Sequence, residues 1–107
     1  MTDIRTYMIV IATIKPEDRD AFITGYGAAA GALVDKFGGR YVLRGPGAKL
    51  LEGQFGDGAG MVISEWPNRE AVETFWNSPE YEAAKKLREG LADVQVLVID
   101  APKFTSD

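Results

Sequence analysis

The segment Tyr7-Met8-Ile9-Val10-Ile11-Ala12-Thr13-Ile14 decides the architecture. It is apolar, rich in β-branched residues and bounded by a polar start and Lys15-Pro16, so it reads as a strand. Successive side chains of a strand point to opposite faces. Met8, Val10, Ala12 and Ile14 therefore go one way, and Tyr7, Ile9 and Ile11 the other. Both faces are apolar. The run from Val94 to Ile99 repeats the pattern, with Val94, Val96 and Val98 opposed to Leu97 and Ile99. An antiparallel sheet with one wet face carries polar residues at every second position, and these strands do not. Helices on one side leave the other bare, on the order of several hundred Å² of exposed apolar surface, more than monomers usually show. Burial at ~25 cal/mol per Å² favours covering it. The simplest cover is the same face of a second copy in a two-fold contact, so a homodimer through the sheet faces is expected.

Working outward, Pro16 suits a first helical position, and Glu17 and Asp18 follow where the helix dipole favours acids. A helix from about 16 to 37 is predicted, with an apolar stripe of Phe22, Tyr26, Ala29, Ala30, Leu33 and Phe37, ended by Gly38-Gly39. Residues 40–44 (RYVLR) and 49–52 (KLLE) read as short strands around Gly45-Pro46-Gly47. Residues 53–60 form a glycine-rich turn, and 61–66 (MVISEW) the next strand. Asn68 can cap a helix over 69–77. Ser78-Pro79 starts another over 79–89. After the strand at 94–99, residues 100–107 read as a polar tail or terminal arm. This order is the ferredoxin-like pattern, an α+β fold with an antiparallel sheet and helices on one face.

The 107 residues suit one domain, with its core over 5–100. The net charge of −4 makes nucleic acid an improbable partner. There is no cysteine and no histidine, which removes disulfides, thiolate nucleophiles, the usual general base and the usual nitrogen ligand for transition metals. No acidic cluster suits a hard cation. No metal and no cofactor is expected. No apolar run approaches the ~20 residues that span a bilayer, and residues 1–6 are too polar for a signal peptide. No membrane contact is expected, and a cytoplasmic location is the default.

Two glycine patterns carry little chemistry. Gly25, Gly27 and Gly31 imitate a dinucleotide fingerprint but lie inside a helix rather than after a strand. Small residues that let helix and sheet approach closely explain them better. Gly56 to Gly60 lacks the Gly-Lys-Ser/Thr of a phosphate loop.

The side chains that suggest a site are concentrated between Tyr41 and Arg88. Arg44 and Glu52 flank the 45–47 turn and could form an ion pair. Alternatively, the Arg44 guanidinium stands at a pocket mouth, where its planar donors could hold a carboxylate or enolate. Glu65 sits on a strand among apolar neighbours, where burial would suit it to acid or base work. Tyr81, Lys85 and Arg88 share a helical stripe bordering Ala84, Leu87 and Leu91, while Glu82 and Lys86 can pair on the wet side. Helix-to-sheet packing with a salt bridge from Arg88 to Glu65 or Glu52 is one reading. The sharper one is a pocket rimmed by Tyr7, Tyr41, Arg44, Glu65, Trp66, Ser78, Tyr81 and Arg88, with Phe75 and Trp76 as further lining or plain core.

Tyr41-Val-Leu-Arg44-Gly45, Leu51-Glu52-Gly53, a strand ending Glu65-Trp66-Pro67, and Asn77-Ser78-Pro79-Glu80-Tyr81 with Lys85 and Arg88 together resemble the domain of unknown function 1330 family (DUF1330), over about residues 7–100. The resemblance implies a dimeric α+β barrel, in which ferredoxin-like protomers pair through their sheets. The wider superfamily includes cofactor-free monooxygenases, isomerase-like enzymes, dye peroxidases and stress-response proteins.

Two functions follow as expectations. In the first, the protein binds a small organic anion in a sheet–helix pocket, either as a binding protein or as a cofactor-independent isomerase or monooxygenase. Glu65 would then be the catalytic base and Tyr81 the acid, while Tyr7, Tyr41, Arg44, Trp66, Ser78 and Arg88 would bind substrate. In the second, the dimer is a non-catalytic ligand sensor or interaction scaffold. Fold alone does not choose between them.

Overall fold

The computed structural model describes residues 4–102. Four strands, β1 (Ile4–Ile14), β2 (Arg40–Gly45), β3 (Gly60–Trp66) and β4 (Ala92–Pro102), form one antiparallel sheet in the order β2-β3-β1-β4. A helical segment α1 over 16–36, then α2 (Arg69–Trp76) and α3 (Pro79–Lys86), pack against one side of it. This is the α+β, ferredoxin-like arrangement expected.

The register fixes which side each residue faces. Met8 stands opposite Ser64 and Val98, and Ile9 opposite Ile63 and Leu97. The Met8 row joins the helices in a core that includes Ala12, Trp66, Val72 and Phe75. The Ile9 row lies on the far side, where Leu97 and Ile99 are each 52% exposed.

Four local expectations change. The first is the length of β4, which runs to Pro102, so residues 100–102 are strand rather than tail; 103–107 lie outside the described residues. Pairing with the long central β1 overrides their polar composition. Thr6 stands opposite Asp100 and donates to its Oδ1 at 2.6 Å, and Arg69 Nε donates to Oδ2 at 2.9 Å.

The second concerns 49–52, which form no strand. The loop from Pro46 to Ala59 is pinned instead by Ala48 N to Ala59 O (2.8 Å), Gly58 N to Ala48 O (2.7 Å) and Leu50 N to Asp57 Oδ1 (3.0 Å). Leu51 is 87% exposed, so no apolar neighbour rewards an extended pairing there.

The third is the regularity of α1. It opens with a 3-10 turn at Pro16–Asp18, passes through a π-helical stretch at Phe22–Gly27, and continues as α-helix over Ala28–Lys36. Its buried residues are Phe22, Tyr26, Ala30 and Val34, four apart each time. A helix of 3.6 residues per turn would rotate such a row steadily off the sheet; the wider π turn brings it back. Val34 thereby takes the place expected of Leu33, which is half-buried.

The fourth is the glycines of α1. A methyl built on Gly25 would meet nothing within 4 Å, and one on Gly31 would touch Tyr41 only at ordinary contact distance, so close helix–sheet approach does not explain them. Close approach does operate at Gly39, where a methyl would sit 2.7 Å from the Trp66 ring.

Candidate functional site

A cavity of about 380 Å³ lies between α1 and the helix-facing side of the sheet. Met8, Val10, Ala12, Val62 and Ser64 line it from the strands, and Phe22, Ile23, Tyr26 and Ala30 from α1. Its charged members are Arg19 and Arg44, both exposed and therefore at the rim. Among the described residues, neither guanidinium has a carboxylate at ion-pair distance.

Arg44 reaches this side through an irregularity in β2. Residues three apart on a regular strand fall on opposite faces. Here the register shifts between Tyr41 and Leu43, so that Tyr41 stands opposite Ser64 and Arg44 opposite Val62, both toward the helices. The extra residue, Val42, is a bulge that re-aims the side chain. The Arg44 guanidinium carbon then lies 4.9 Å from the Tyr41 ring centroid, which holds the planar fork over an aromatic face. Burial raises the pKa of the Tyr41 phenol, partly opposed by the Arg44 charge.

Tyr26 lines the cavity, and its hydroxyl is 2.8 Å from that of Tyr81, which does not. Tyr81 is fixed from its backbone outward. Ser78 caps α3 by accepting from Tyr81 N (3.1 Å) while donating to Phe75 O (2.8 Å). The Tyr81 ring is held between Phe75 (centroids 4.5 Å) and Trp76 (5.0 Å), and Lys85 Nζ sits 4.8 Å from the Trp76 ring. The Arg88 guanidinium lies 5.2 Å from the Tyr26 ring, and its buried Nε has no acceptor among the described residues. Burial, then the neighbouring Tyr81 hydroxyl, pushes the pKa of the Tyr26 phenol well above its ordinary value, so Tyr26 stays protonated.

The eight rim residues expected from sequence therefore separate into three groups. Tyr41 and Arg44 line the cavity. Trp66, Ser78 and Tyr81 are buried behind it with Arg88 beside them; Trp66 Nε1 donates to Ser64 Oγ at 2.9 Å. Tyr7 and Glu65 are on the other face of the sheet. There Glu65 Oε1 accepts from Arg40 Nε (2.8 Å) and Nη2 (2.7 Å), and Oε2 accepts from the Tyr7 hydroxyl at 3.2 Å. Glu65 and Tyr81 thus do not meet in one site. Other pairings also differ: Glu65 takes Arg40 rather than Arg88, Arg44 stacks on Tyr41 rather than pairing with Glu52, and Glu82 pairs with Lys85 at 3.5 Å rather than with Lys86. Phe75 lines the cavity and Trp76 does not.

Sequence reasoning missed Arg19, Tyr26 and Arg40. Arg19 had a signal, since it precedes Phe22 and Tyr26 by three and seven residues and so shares their side of the helix. Tyr26 was visible only as part of an apolar stripe. Nothing local marks Arg40 as the partner of Glu65.

The family described as Domain of unknown function (DUF1330) matches residues 5–102. The chain belongs to DUF1330. Solved structures similar to this DUF1330 protein include a protein of unknown function from Rhodopseudomonas palustris (21% identity, 94% of this chain and 85% of that one, TM-score 0.76). Another is SnoaB, a cofactor-independent oxygenase from Streptomyces nogalater (14%, 96% and 98%, TM-score 0.67). A third is a dimeric protein of unknown function and ferredoxin-like fold from Bacteroides fragilis (18%, 92% and 96%, TM-score 0.60). At these identities the likeness establishes the fold alone. A comparison with curated protein sequences finds no match. Among the described residues, no helix is long and apolar enough to cross a membrane.

Proposed function

We propose that this DUF1330 protein binds a small organic anion with an apolar body in the cavity beneath α1. The observation that carries the reading is the pair of guanidiniums, Arg19 and Arg44, which have no carboxylate partner among the described residues and stand at the rim of a mostly aliphatic and aromatic cavity. A volume of about 380 Å³ falls within the range of small-molecule sites. Arg44, steadied by the Tyr41 ring, offers the two parallel donors that a carboxylate accepts. Among the described residues, no aspartate, glutamate or lysine lines the cavity, so an incoming anion meets donors and no opposing charge from them.

A cofactor-independent reaction on the bound anion is the narrower reading. The hydrogen-bonded phenols of Tyr26 and Tyr81 beside the cavity favour it, and the similar fold of an oxygenase that needs no cofactor agrees with it. Tyr81 would then act through Tyr26. Glu65 would serve the outer face rather than the bound molecule. That face, with Ile9, Ile63, Leu97 and Ile99, we assign to a second copy of the chain; its apolar character and the dimeric relative of the same fold support this.

Isothermal titration with phenylbutanoate and its neutral counterpart phenylbutanol tests the anion reading. The acid should bind and the alcohol bind far more weakly. Arg44→Ala should weaken the acid by about 10-fold or more, as expected for a lost charge-assisted hydrogen bond. Equal binding of acid and alcohol, or an unchanged acid affinity in Arg44→Ala, would contradict it.

A further inference from the structure

The phenols of Tyr26 and Tyr81 together hold one proton more than their mutual bond uses. Each hydroxyl carries a single O–H, and the 2.8 Å contact between Tyr26 and Tyr81 consumes one of the two. Neither hydroxyl has another acceptor among the described residues. Had Tyr26 donated, the spare proton would sit on Tyr81, which is 1% exposed, enclosed by Phe75 and Trp76, and no part of the cavity wall. Buried donors are rarely left that way. With Tyr81 donating, the spare proton belongs to Tyr26, which does line the cavity. The Arg88 charge against the Tyr26 ring adds to the donor character of that phenol. Burial keeps it protonated, so at neutral pH it is a donor and not an anion.

The charged groups of the cavity, Arg19 and Arg44, are donors only, and its side-chain hydroxyls are those of Tyr26, Tyr41 and Ser64. Ser64 Oγ is already engaged by Trp66 Nε1. A carbonyl oxygen placed against the Tyr26 hydroxyl would be satisfied, since it needs only the donor that the phenol supplies.

We propose that the Tyr26 hydroxyl is the second recognition point of the cavity, donating to a carbonyl oxygen of the ligand, and that the ligand class is an apolar oxo acid: carboxylate at Arg44, ketone oxygen at Tyr26. Tyr81 is the positioning residue, because its donated bond turns the Tyr26 proton inward. The inference rests on the anion reading and narrows it.

The test compares benzoylpropionate with phenylbutanoate, which differ by that ketone oxygen, in calorimetric titrations of the wild type, Tyr26→Phe, Tyr81→Phe and Arg44→Ala. Wild type should prefer the oxo acid by about 5- to 10-fold, the worth of one hydrogen bond. Tyr26→Phe should abolish the preference, the two acids then binding alike. Tyr81→Phe should reduce the preference, since the Tyr26 hydroxyl then rotates freely; a merely structural Tyr81 would weaken both acids alike. Arg44→Ala should weaken both by the same factor and leave the ratio intact. Equal affinities in wild type, or a preference surviving in Tyr26→Phe, would overturn the oxo-acid assignment. Arg44-dependent binding of both acids in that case would leave the anion reading standing. If neither acid binds wild type, both fall.

Discussion

The two faces of the sheet are built from the same strands and almost the same residue types, yet they end differently. On the helix side, Met8, Val10 and Ala12 meet Phe22, Tyr26 and Phe75, and the space left between them has cations only at its rim. On the far side, Ile9, Ile63 and Leu97 stand beside one another across three strands, and among the described residues the helices pack on the opposite face. Glu65, the one buried carboxylate among the described residues, lies there and is held by Arg40 and Tyr7. An apolar row therefore does not say what covers it. Charge placement separates the two: among the described residues, the guanidiniums of Arg19 and Arg44 at the cavity have no carboxylate partner, while on the far side Glu65 is paired with Arg40.

The largest expected effect comes from Ile9→Asp, which puts a charge among Ile63 and Leu97 on the far face. Burying an unpaired carboxylate should weaken self-association by about 100-fold or more, read as a monomer mass in light scattering. The circular dichroism and the phenylbutanoate affinity should persist, because the cavity lies behind the sheet. Loss of ligand binding together with the dimer would erase the division of labour.

Gly39→Ala strikes the helix side instead. Its methyl would overlap the Trp66 ring, which is 1% exposed and has no room to move. Overpacking of this kind should cost about 1–3 kcal/mol in urea unfolding, with a shift in tryptophan fluorescence. A wild-type midpoint would show that Trp66 is not packed as described.

Smaller effects should follow pH. Tyr26 has a folded pKa above its unfolded value of 10.0, so its contribution is complete below about pH 10 and fades as the pH rises further. Tyr26→Phe should flatten that alkaline decline. Asp100 is the reverse case: hydrogen bonds from Thr6 and then Arg69 lower its pKa from 3.8. Its contribution is present above that value and disappears as the pH falls through the lower folded pKa. Being exposed at the sheet edge, it should move the acid limb of the stability curve least. Unfolding midpoints across pH, with Asp100→Asn as control, check both.

Much of the fold was legible because it rests on periodicity. Alternation in 7–14 and 94–99 placed the two-faced strands, and Asn68 and Ser78-Pro79 placed two helix starts that the cap bonds bear out. What escaped depends on partners distant in sequence. The end of β4 is decided by β1 pairing at Thr6–Asp100, and the failure of 49–52 to form a strand by the lack of anything beside Leu51. The site was half legible for the same reason. Tyr41 and Arg44 reach one face only through the bulge at Val42, which no local signal announces. Glu65 and Trp66 were grouped by adjacency, although neighbours on a strand face opposite ways.

The central claim is that small anions enter on the helix side of the sheet and nowhere on the other. Methyl-labelled protein tests it directly, because one strand carries reporters for both sides. On adding phenylbutanoate, the methyl signals of Val10, Ile14, Val62 and Ile23 should shift, and those of Ile9, Ile11, Ile63 and Leu97 should stay. Shifts confined to the second group, or spread equally over both, would contradict the account.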